Sequence, residues 1–338
     1  MARILVIRND KLGDFMLAWP AFSLLKRQYP QSTITALVPS YTQPIAERCP
    51  WIDNILVDDN KHAFRLADQI RAGQYDASIS LFSELRTALA LWLARVPVKV
   101  GPATKIAQIF LTRKLRQKRS LSLKPEYAYN LDLVRFYIKL NGDTPIEPQA
   151  LPYLEFSPAE TKAIKEQYID DHGIANGSRL IAIHPGSGGS AVNLTLSQFA
   201  MLADKLAGKI KAHFIITAGP DELETATDLA ALLHTHDCSI YHSLEGLVPF
   251  ARFITICDLF ISGSTGPLHI AGALNVPTSA FYSARRSATS LRWQTLNEAN
   301  RRISFSPKHY DKTSTELDID IDSCAEDIAG FMRKLHDR

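Results

Sequence analysis

The run LFISGSTGPLHIAGA at residues 259–273 predicts a buried strand, a turn of small residues and the start of a helix. Pro267 stands where the helix would begin, and proline is favoured there because its missing N–H is no loss. The free amides of the turn and the helix N-terminus then face one point, which suits a phosphate group. Thr265 and His269 can add side-chain donors. The run therefore predicts a phosphate site at the end of a strand.

Short apolar segments alternate with segments of helical periodicity along the chain. We expect strands at residues 4–7, 34–38, 54–57, 77–81, 180–184, 214–217 and 259–262, and helices at 16–29, 43–48, 63–72, 159–171, 197–206 and 221–233. This alternation predicts parallel sheets with helices on both faces. The proline-rich segment 151–158 interrupts it. We therefore predict an α/β protein of two tandem doubly wound domains, residues 1–150 and 158–338, facing across a cleft.

Composition limits the classes of function. The chain has 338 residues, 46% of them hydrophobic and 22% charged, which is typical of a globular protein. A net charge of +3 is too small to indicate nucleic-acid binding. The four scattered cysteines form no C-x-x-C pair, so we expect neither a disulfide framework nor structural zinc, and we predict a cytoplasmic protein. The ten histidines show no metal-binding pattern, and we expect no metal.

Ligands of doubly wound domains bind beyond the carboxyl ends of the strands, where four notable turns fall. The first, residues 8–14, lacks the G-x-G-x-x-G pattern, so a nicotinamide or flavin cofactor is not indicated. Its Asp14 is either an exposed N-cap or a general base aimed at an acceptor hydroxyl.

The other turns all lie in the second predicted domain. Residues 184–190, HPGSGGS, offer bare amides and hydroxyls that suit a diphosphate, although a flexible connecting loop is the alternative. The turn lacks the G-K-S/T ending of a P-loop, so ATP hydrolysis is not indicated. Residues 218–222, AGPDE, place carboxylates where they either accept ribose hydroxyls or complement a helix dipole.

A basic segment spans residues 105–124. It carries seven cations and no acidic residue: Lys105, Arg113, Lys114, Arg116, Lys118, Arg119 and Lys124. Interspersed isoleucine, leucine and phenylalanine residues give it an apolar side. The pattern indicates either a solvated helix face or a surface for anionic lipid or a phosphorylated acceptor.

Taken in order, several runs resemble glycosyltransferase family 9, the lipopolysaccharide heptosyltransferases. The matching runs are ILVIRNDKLGD at 4–14, PA at 20–21, LLK at 24–26, HPGSG at 184–188, GPDE at 219–222 and SGSTGPLH at 262–269. The resemblance implies two Rossmann-like domains in a GT-B architecture and an ADP-heptose donor. It also implies an inverting, metal-independent transfer to the lipopolysaccharide inner core, and we expect no cofactor. We assign the basic segment to a phosphorylated acceptor and to the inner face of the membrane.

The resemblance also implies roles for single residues. It places the general base at Asp14 and a ribose contact at Glu222, and it favours a nucleotide-sugar site in the second domain. The predicted donor-binding residues are Ser187, Gly188, Glu222, Ser264, Thr265, Gly266 and His269. With the basic segment assigned to the first, acceptor-binding domain, the predicted acceptor-binding residues are Lys11, Arg113, Lys114 and Arg116.

The chain departs from the family at two positions. The usual lysine after the glycine-rich loop is absent from residues 191–193, and Ser264 stands where an aspartate is usual. Either another cation such as Lys11 or Arg285 substitutes, or the donor differs, or activity is weak. Two other functions stay open: a GT-B nucleotide-sugar epimerase, which would release free sugar without an acceptor, and a catalytically reduced sugar-nucleotide-binding protein.

Overall fold

The computed structural model describes residues 1–59, 62–188, 192–233, 236–309 and 316–336. The chain forms two compact units, Met1–Tyr153 and Leu154–Arg338. Within the described residues, each unit contains one six-stranded parallel sheet with helices between its strands. The predicted α/β class with two doubly wound domains is confirmed.

The N-terminal sheet has the strand order β3-β2-β1-β4-β5-β6. Its strands are β1 (Arg3–Ile7), β2 (Thr33–Val38), β3 (Asn54–Val57), β4 (Ala77–Ser80), β5 (Val98–Pro102) and β6 (Arg113–Leu115). Its helices are α1 (Leu12–Met16), α2 (Trp19–Gln28), α3 (Gln43–Ala46), α4 (Ala63–Ala72), α5 (Leu85–Leu93) and α6 (Glu126–Leu140). The chain leaves β1 in one direction and returns to β4 on its other side. The topological switch point, where ligands bind in such sheets, therefore lies between β1 and β4.

The C-terminal sheet has the strand order β12-β11-β10-β7-β8-β9. Its strands are β7 (Arg179–His184), β8 (Ala212–Ala218), β9 (Cys238–His242), β10 (Leu259–Gly263), β11 (Thr278–Phe281) and β12 (Arg302–Phe305). Its helices are α7 (Pro158–Asp171), α8 (Leu196–Ala207), α9 (Leu223–Leu232), α10 (Leu247–Ile254), α11 (Gly266–Ala273) and α12 (Ile321–His336). Because β10, β7 and β8 are neighbours, the three turns predicted to bind the donor follow adjacent strands.

The helix predicted over residues 16–29 is confirmed as α2 (Trp19–Gln28), although it begins three residues later than expected. A short separate helix, α1 (Leu12–Met16), precedes it, and the chain breaks between the two at Leu17 and Ala18. Pro20 explains the break, because it lacks the N–H that would donate to the carbonyl of Met16 in a continuous helix. Proline fits instead in the first turn of α2.

The basic segment 105–124 contains no α-helix, so its interpretation as a solvated helix face is wrong. It forms 3₁₀ turns at Ile106–Phe110 and Arg119–Leu121 on either side of the edge strand β6. Lys105 and Lys118 have φ values of 56° and 50°, which a right-handed helix cannot contain. The seven cations therefore lie on an edge strand and its flanking turns.

Each sheet buries its own apolar core. In the N-terminal unit, side chains of β1 and β2 pack against α4 and α5, as Leu5, Leu37, Leu66 and Leu91 illustrate. In the C-terminal unit, β7, β8 and β10 pack against α8, α9 and α12. Across the described ranges, no helix combines the length and apolar character needed to cross a bilayer.

Candidate active site

A buried arginine follows β1 and contacts three carboxylates. Arg8 is only 2% exposed. Its Nε lies 2.9 Å from Asp10 Oδ1, its Nη2 donates to Asp14, and its Nη1 donates to Glu126 Oε1 at 3.0 Å. Nη1 also donates to the carbonyl of Leu81, just after β4, at 3.2 Å. The guanidinium thus spans the switch point between β1 and β4.

A second arginine completes this network from the far side. Glu126, the first residue of α6, is 1% exposed and accepts a hydrogen bond from Arg119 Nη1 at 2.6 Å. The same Arg119 nitrogen donates to the Leu81 carbonyl at 2.9 Å. Asn130, one turn along α6, accepts from Arg8 at 3.3 Å. Three acids and two arginines therefore share one buried group, which we call the Arg8 network.

The Arg8 network changes the acidity of Asp14. Burial raises the pKa of its carboxyl, Arg8 opposes that effect, and the negative charges of Asp10 and Glu126 add to it. The resulting pKa of Asp14 is about 7. A carboxylate whose pKa lies near the operating pH is suited to general-base chemistry, since it is both deprotonated and basic.

Asp14 is not an exposed N-cap, so that alternative is wrong. It is the third residue of α1, its side chain is 14% exposed, and Arg8 holds its carboxylate. The N-cap of α1 is Lys11, which is exposed and makes no side-chain cap hydrogen bond. Sequence reasoning missed Arg8 as the partner of Asp14, and it missed Glu126 and Arg119 as the groups behind Arg8. The signal for Arg8 in the sequence was a charged residue directly after the apolar run 4–7.

In the C-terminal unit, Glu222 joins the turns that follow β7 and β8. Its Oε2 accepts a hydrogen bond from the Gly219 amide at 3.0 Å and lies 3.6 Å from His184 Nε2. Its carboxylate also lies against Gly186, where the Cβ of any larger residue would overlap it. The histidine is fully buried, and burial lowers its pKa despite the nearby Glu222. The predicted ribose-binding carboxylate is therefore fixed in place by two turns.

The turn after β10 is connected to the turn after β7 through small polar side chains. Ser262 Oγ donates to the carbonyl of His184 at 3.1 Å and lies 3.0 Å from Thr265 Oγ1. Thr265 is the N-cap of α11, and its hydroxyl accepts from the Leu268 amide. At Gly263, a Cβ would lie 2.7 Å from Asn193 Oδ1, so a larger residue there would push the Asn193 side chain aside.

Asn193 is a residue that sequence reasoning passed over. Its Nδ2 donates to the Pro185 carbonyl at 3.0 Å, and its Oδ1 accepts from the Leu194 amide at 3.0 Å. It therefore connects Pro185, directly after β7, with Gly263 at the end of β10. It lies in the region where the family usually has a lysine, and only the position of an amide side chain beside a glycine-rich loop could have indicated it.

His269, a predicted donor-binding residue, is buried and, among the described residues, has an unpartnered ring nitrogen. It lies on the second turn of α11 and is 3% exposed. Within the described ranges, its Nδ1 has no hydrogen-bond partner. Burial lowers the pKa of His269 to about 4, so the ring is neutral near pH 7. Buried polar atoms in native proteins nearly always have a hydrogen-bond partner, so an unpartnered nitrogen marks His269 as a candidate for contact with a ligand.

The remaining predicted donor residues lie on the same turns. Ser264 and Gly266 are half-buried beside the start of α11, and Ser187 and Gly188 follow β7. Gly188 has a φ of 49°, which glycine adopts without strain. Gly189 and Ser190, the rest of the predicted glycine-rich loop, and Ala191 after it lie outside the described residues.

The predicted acceptor residues Arg113, Lys114 and Arg116 are exposed on and after β6. Two other cations of the segment are engaged: Arg119 pairs with Glu126, and Lys124 pairs with Asp132. Arg285, the other cation considered for the donor diphosphate, is exposed after β11, the neighbour of β10. In the described part of the chain, no three His, Cys, Asp or Glu side chains are grouped as metal ligands.

Comparison with known proteins identifies the family. The model of glycosyltransferase family 9 (heptosyltransferase) matches residues 63–317. The chain belongs to glycosyltransferase family 9. It is therefore a glycosyltransferase, and the resemblance noted from the sequence is confirmed.

Individual relatives cover most of the chain. A Haemophilus influenzae protein described as a glycosyltransferase, without a stated substrate, is 41% identical over 343 residues, covering 99% of this chain and 98% of its own. Lipooligosaccharide heptosyltransferase 2 of Haemophilus ducreyi is 25% identical, covering 81% of each chain. The structure of the E. coli ADP-heptose lipopolysaccharide heptosyltransferase II superposes with a TM-score of 0.76 at 19% identity, covering 98% of this chain and 99% of that one. This family member therefore has the GT-B fold of the heptosyltransferases.

Proposed function

We propose that this glycosyltransferase moves a heptose from ADP-heptose to a hydroxyl of a phosphorylated inner-core lipopolysaccharide acceptor, with inversion and without a metal or cofactor. The family supports glycosyl transfer, and the names of the Haemophilus ducreyi and E. coli relatives support the heptose, the ADP donor and the lipopolysaccharide acceptor. The donor binds the C-terminal unit and the acceptor binds the N-terminal unit.

Asp14 is the general base in this proposal. Its carboxylate takes the proton of the acceptor hydroxyl while the acceptor oxygen forms a bond to the anomeric carbon. The bond between that carbon and the diphosphate oxygen breaks, and ADP leaves with the electron pair. The raised pKa of Asp14 favours proton uptake, and Arg8 holds the carboxylate in a fixed orientation.

One observation supports the donor assignment most strongly. The three turns predicted to bind the nucleotide sugar follow the adjacent strands β10, β7 and β8. Diphosphate oxygens would bind at the N-terminus of α11, where helix amides and the helix dipole favour an anion. The unsatisfied Nδ1 of the buried His269 adds one ligand-binding group there. Glu222, fixed between two of the turns, would accept the ribose hydroxyls.

The acceptor and membrane assignment is supported by charge. Arg113, Lys114 and Arg116 are exposed, and the basic segment contains no acidic residue. Phosphorylated sugars and anionic headgroups both bind such a surface electrostatically. We propose that the enzyme works in the cytoplasm, peripherally on the inner membrane, with these residues and Lys11 facing the acceptor.

A thermal-shift screen against ADP-, UDP- and GDP-sugars tests the donor. A ligand that binds only the folded protein, at 100 times its dissociation constant, adds about 2.7 kcal/mol to the free energy of unfolding. We expect ADP-heptose and ADP to stabilise the protein. Stabilisation by UDP- or GDP-sugars alone would contradict the ADP-heptose donor, and release of free sugar without acceptor would indicate an epimerase.

A further inference from the structure

Glu126 is a buried acid that the proposed reaction does not use directly. Its carboxylate is 1% exposed and lies in the interior of the N-terminal unit, where an ionised group is costly unless it is paired. It has such pairing, because Arg8 and Arg119 both donate to its Oε1, at 3.0 and 2.6 Å. Glu126 therefore lies between the arginine that contacts Asp14 and a second arginine behind it.

The three nitrogens of Arg8 each face a different carboxylate. Nε faces Asp10, Nη1 faces Glu126 and Nη2 faces Asp14. A planar guanidinium held at Nη1 and Nε has little freedom to rotate, so the direction of Nη2 is fixed as well. Glu126 shares Nη1 with two neutral acceptors, the Leu81 carbonyl and Asn130, and is the charged group among the three. It therefore helps to fix where the donor to Asp14 points, without touching Asp14.

The charges around Asp14 come from several elements. Arg8 and Asp10 belong to the turn after β1, Glu126 to α6, and Arg119 to the 3₁₀ turn before α6. Tyr41, after β2, donates through its hydroxyl to the Asp10 carbonyl at 3.0 Å and also faces this group. Arg8 lowers the pKa of Asp14, and the negative charge of Glu126 opposes that effect. Unlike Asp10, Glu126 belongs to a separate helix, α6.

We propose that Glu126 is a positioning residue for the base. It helps to hold the Arg8 guanidinium in place and partly neutralises the charge of Arg8, so that Asp14 stays basic. The inference rests on the proposed role of Asp14 as base. Burial and the neighbouring acids together raise the pKa of Asp14, with Glu126 among the contributors. Arg119 has the opposite effect, since its charge offsets that of Glu126.

The test uses paired variants of the full chain. Glu126→Gln keeps the size of the side chain but removes its charge, so the ascending limb of the kcat/KM–pH profile should shift to lower pH by about one unit. Arg119→Gln removes a positive charge and should shift the limb to higher pH. Asp132 lies on the same helix α6 as Glu126 and pairs with Lys124, which precedes that helix. Asp132→Asn, which loses this ion pair, is the matched control and should leave the limb in place. Carbon-13 NMR titration of the Asp14 carboxyl, assigned with Asp14→Asn, provides the same pKa without substrate.

Opposite shifts in the Glu126 and Arg119 variants would support the inference. Reduced activity at every pH with an unmoved limb and an unmoved Asp14 titration would overturn it, since that is what a purely structural role predicts. If one variant fails to fold, the direction of the shift in the other decides. Asp14→Asn is measured in parallel: a limb that survives in this variant overturns Asp14 as base, whereas a limb lost there but unmoved in Glu126→Gln overturns only the role of Glu126.

Discussion

The Arg8 guanidinium donates to the Asp14 carboxylate, and both side chains are largely withdrawn from solvent, at 2% and 14% exposure. An isolated ion pair of this kind would keep the aspartate strongly acidic. Here Asp10 and Glu126 compete for the same arginine, and burial opposes ionisation, so the pKa of Asp14 rises to about 7. This arrangement provides a carboxylate that is oriented by a cation and still able to accept a proton.

Replacing Asp14 with Asn should abolish base catalysis. The amide has the same shape but cannot take up the proton of the acceptor, so kcat should fall by roughly two to four orders of magnitude. The KM for the donor should change little. Steady-state kinetics check this, with Asp68→Asn on α4, an exposed acid paired with Arg71, as the matched control. Near-normal turnover in Asp14→Asn would refute the assignment.

The same residue should make the folded state sensitive to pH. The pKa of Asp14 is raised from 3.8 in the unfolded chain to about 7, so the folded state binds the extra proton between these values. Its contribution to stability is therefore present below about pH 4 and is lost as the pH rises to 7. Above pH 7, Asp14→Asn should be more stable than the parent chain, by on the order of 1–3 kcal/mol.

Urea unfolding at pH 5 and pH 8 measures this effect. The difference in unfolding free energy between variant and parent should grow from the lower pH to the higher. A difference that is equal at both pH values would mean that Asp14 titrates normally.

Gly186→Ala should weaken nucleotide binding. Its Cβ would overlap the Glu222 carboxylate, which must then move away from the Gly219 amide. We expect the Kd for ADP to rise about tenfold, the equivalent of one lost hydrogen bond to a charged group. Calorimetric titration measures it. Gly330→Ala in α12, where the nearest atom to a new Cβ is 3.8 Å away, is the control and should bind ADP normally.

The exposed cations of β6 should contribute to acceptor and vesicle binding. Replacing Arg113, Lys114 and Arg116 with Ser should weaken binding to anionic phosphatidylglycerol vesicles, by about 1 kcal/mol per residue at low salt. The loss should shrink as added salt screens the charges. A control triple variant at the exposed residues Arg48, Lys139 and Lys162 has the same net charge. Equal losses in both triple variants would attribute the effect to net charge rather than to this surface.

The fold followed from periodicity because parallel strands are continuous apolar runs. Strand β3 and helix α4 lie where they were expected, at 54–57 and 63–72. The errors arose where a local interaction overrides periodicity. The break before Pro20 moved the start of the helix expected at residue 16 to Trp19, and positive φ values at Lys105 and Lys118 excluded a helix from the basic segment.

The candidate site was only partly predictable for a similar reason. Turns at strand ends can be located from the chain, and Asp14 and Glu222 were expected there. Their partners come from distant positions: Glu126 is 118 residues from Arg8, and His184 is 38 residues from Glu222. Such pairings depend on how the sheet is wound, and a single sequence does not encode them as a local pattern.

The most direct test is acceptor-dependent release of ADP from ADP-heptose by the full chain, with lipopolysaccharide lacking its outer heptoses as acceptor and mass analysis of the product. We predict that ADP appears only with both substrates, that the acceptor gains one heptose, and that Asp14→Asn lowers the rate by roughly two to four orders of magnitude. An acceptor that gains no heptose, or an Asp14→Asn variant that transfers it at the parent rate, would contradict this account.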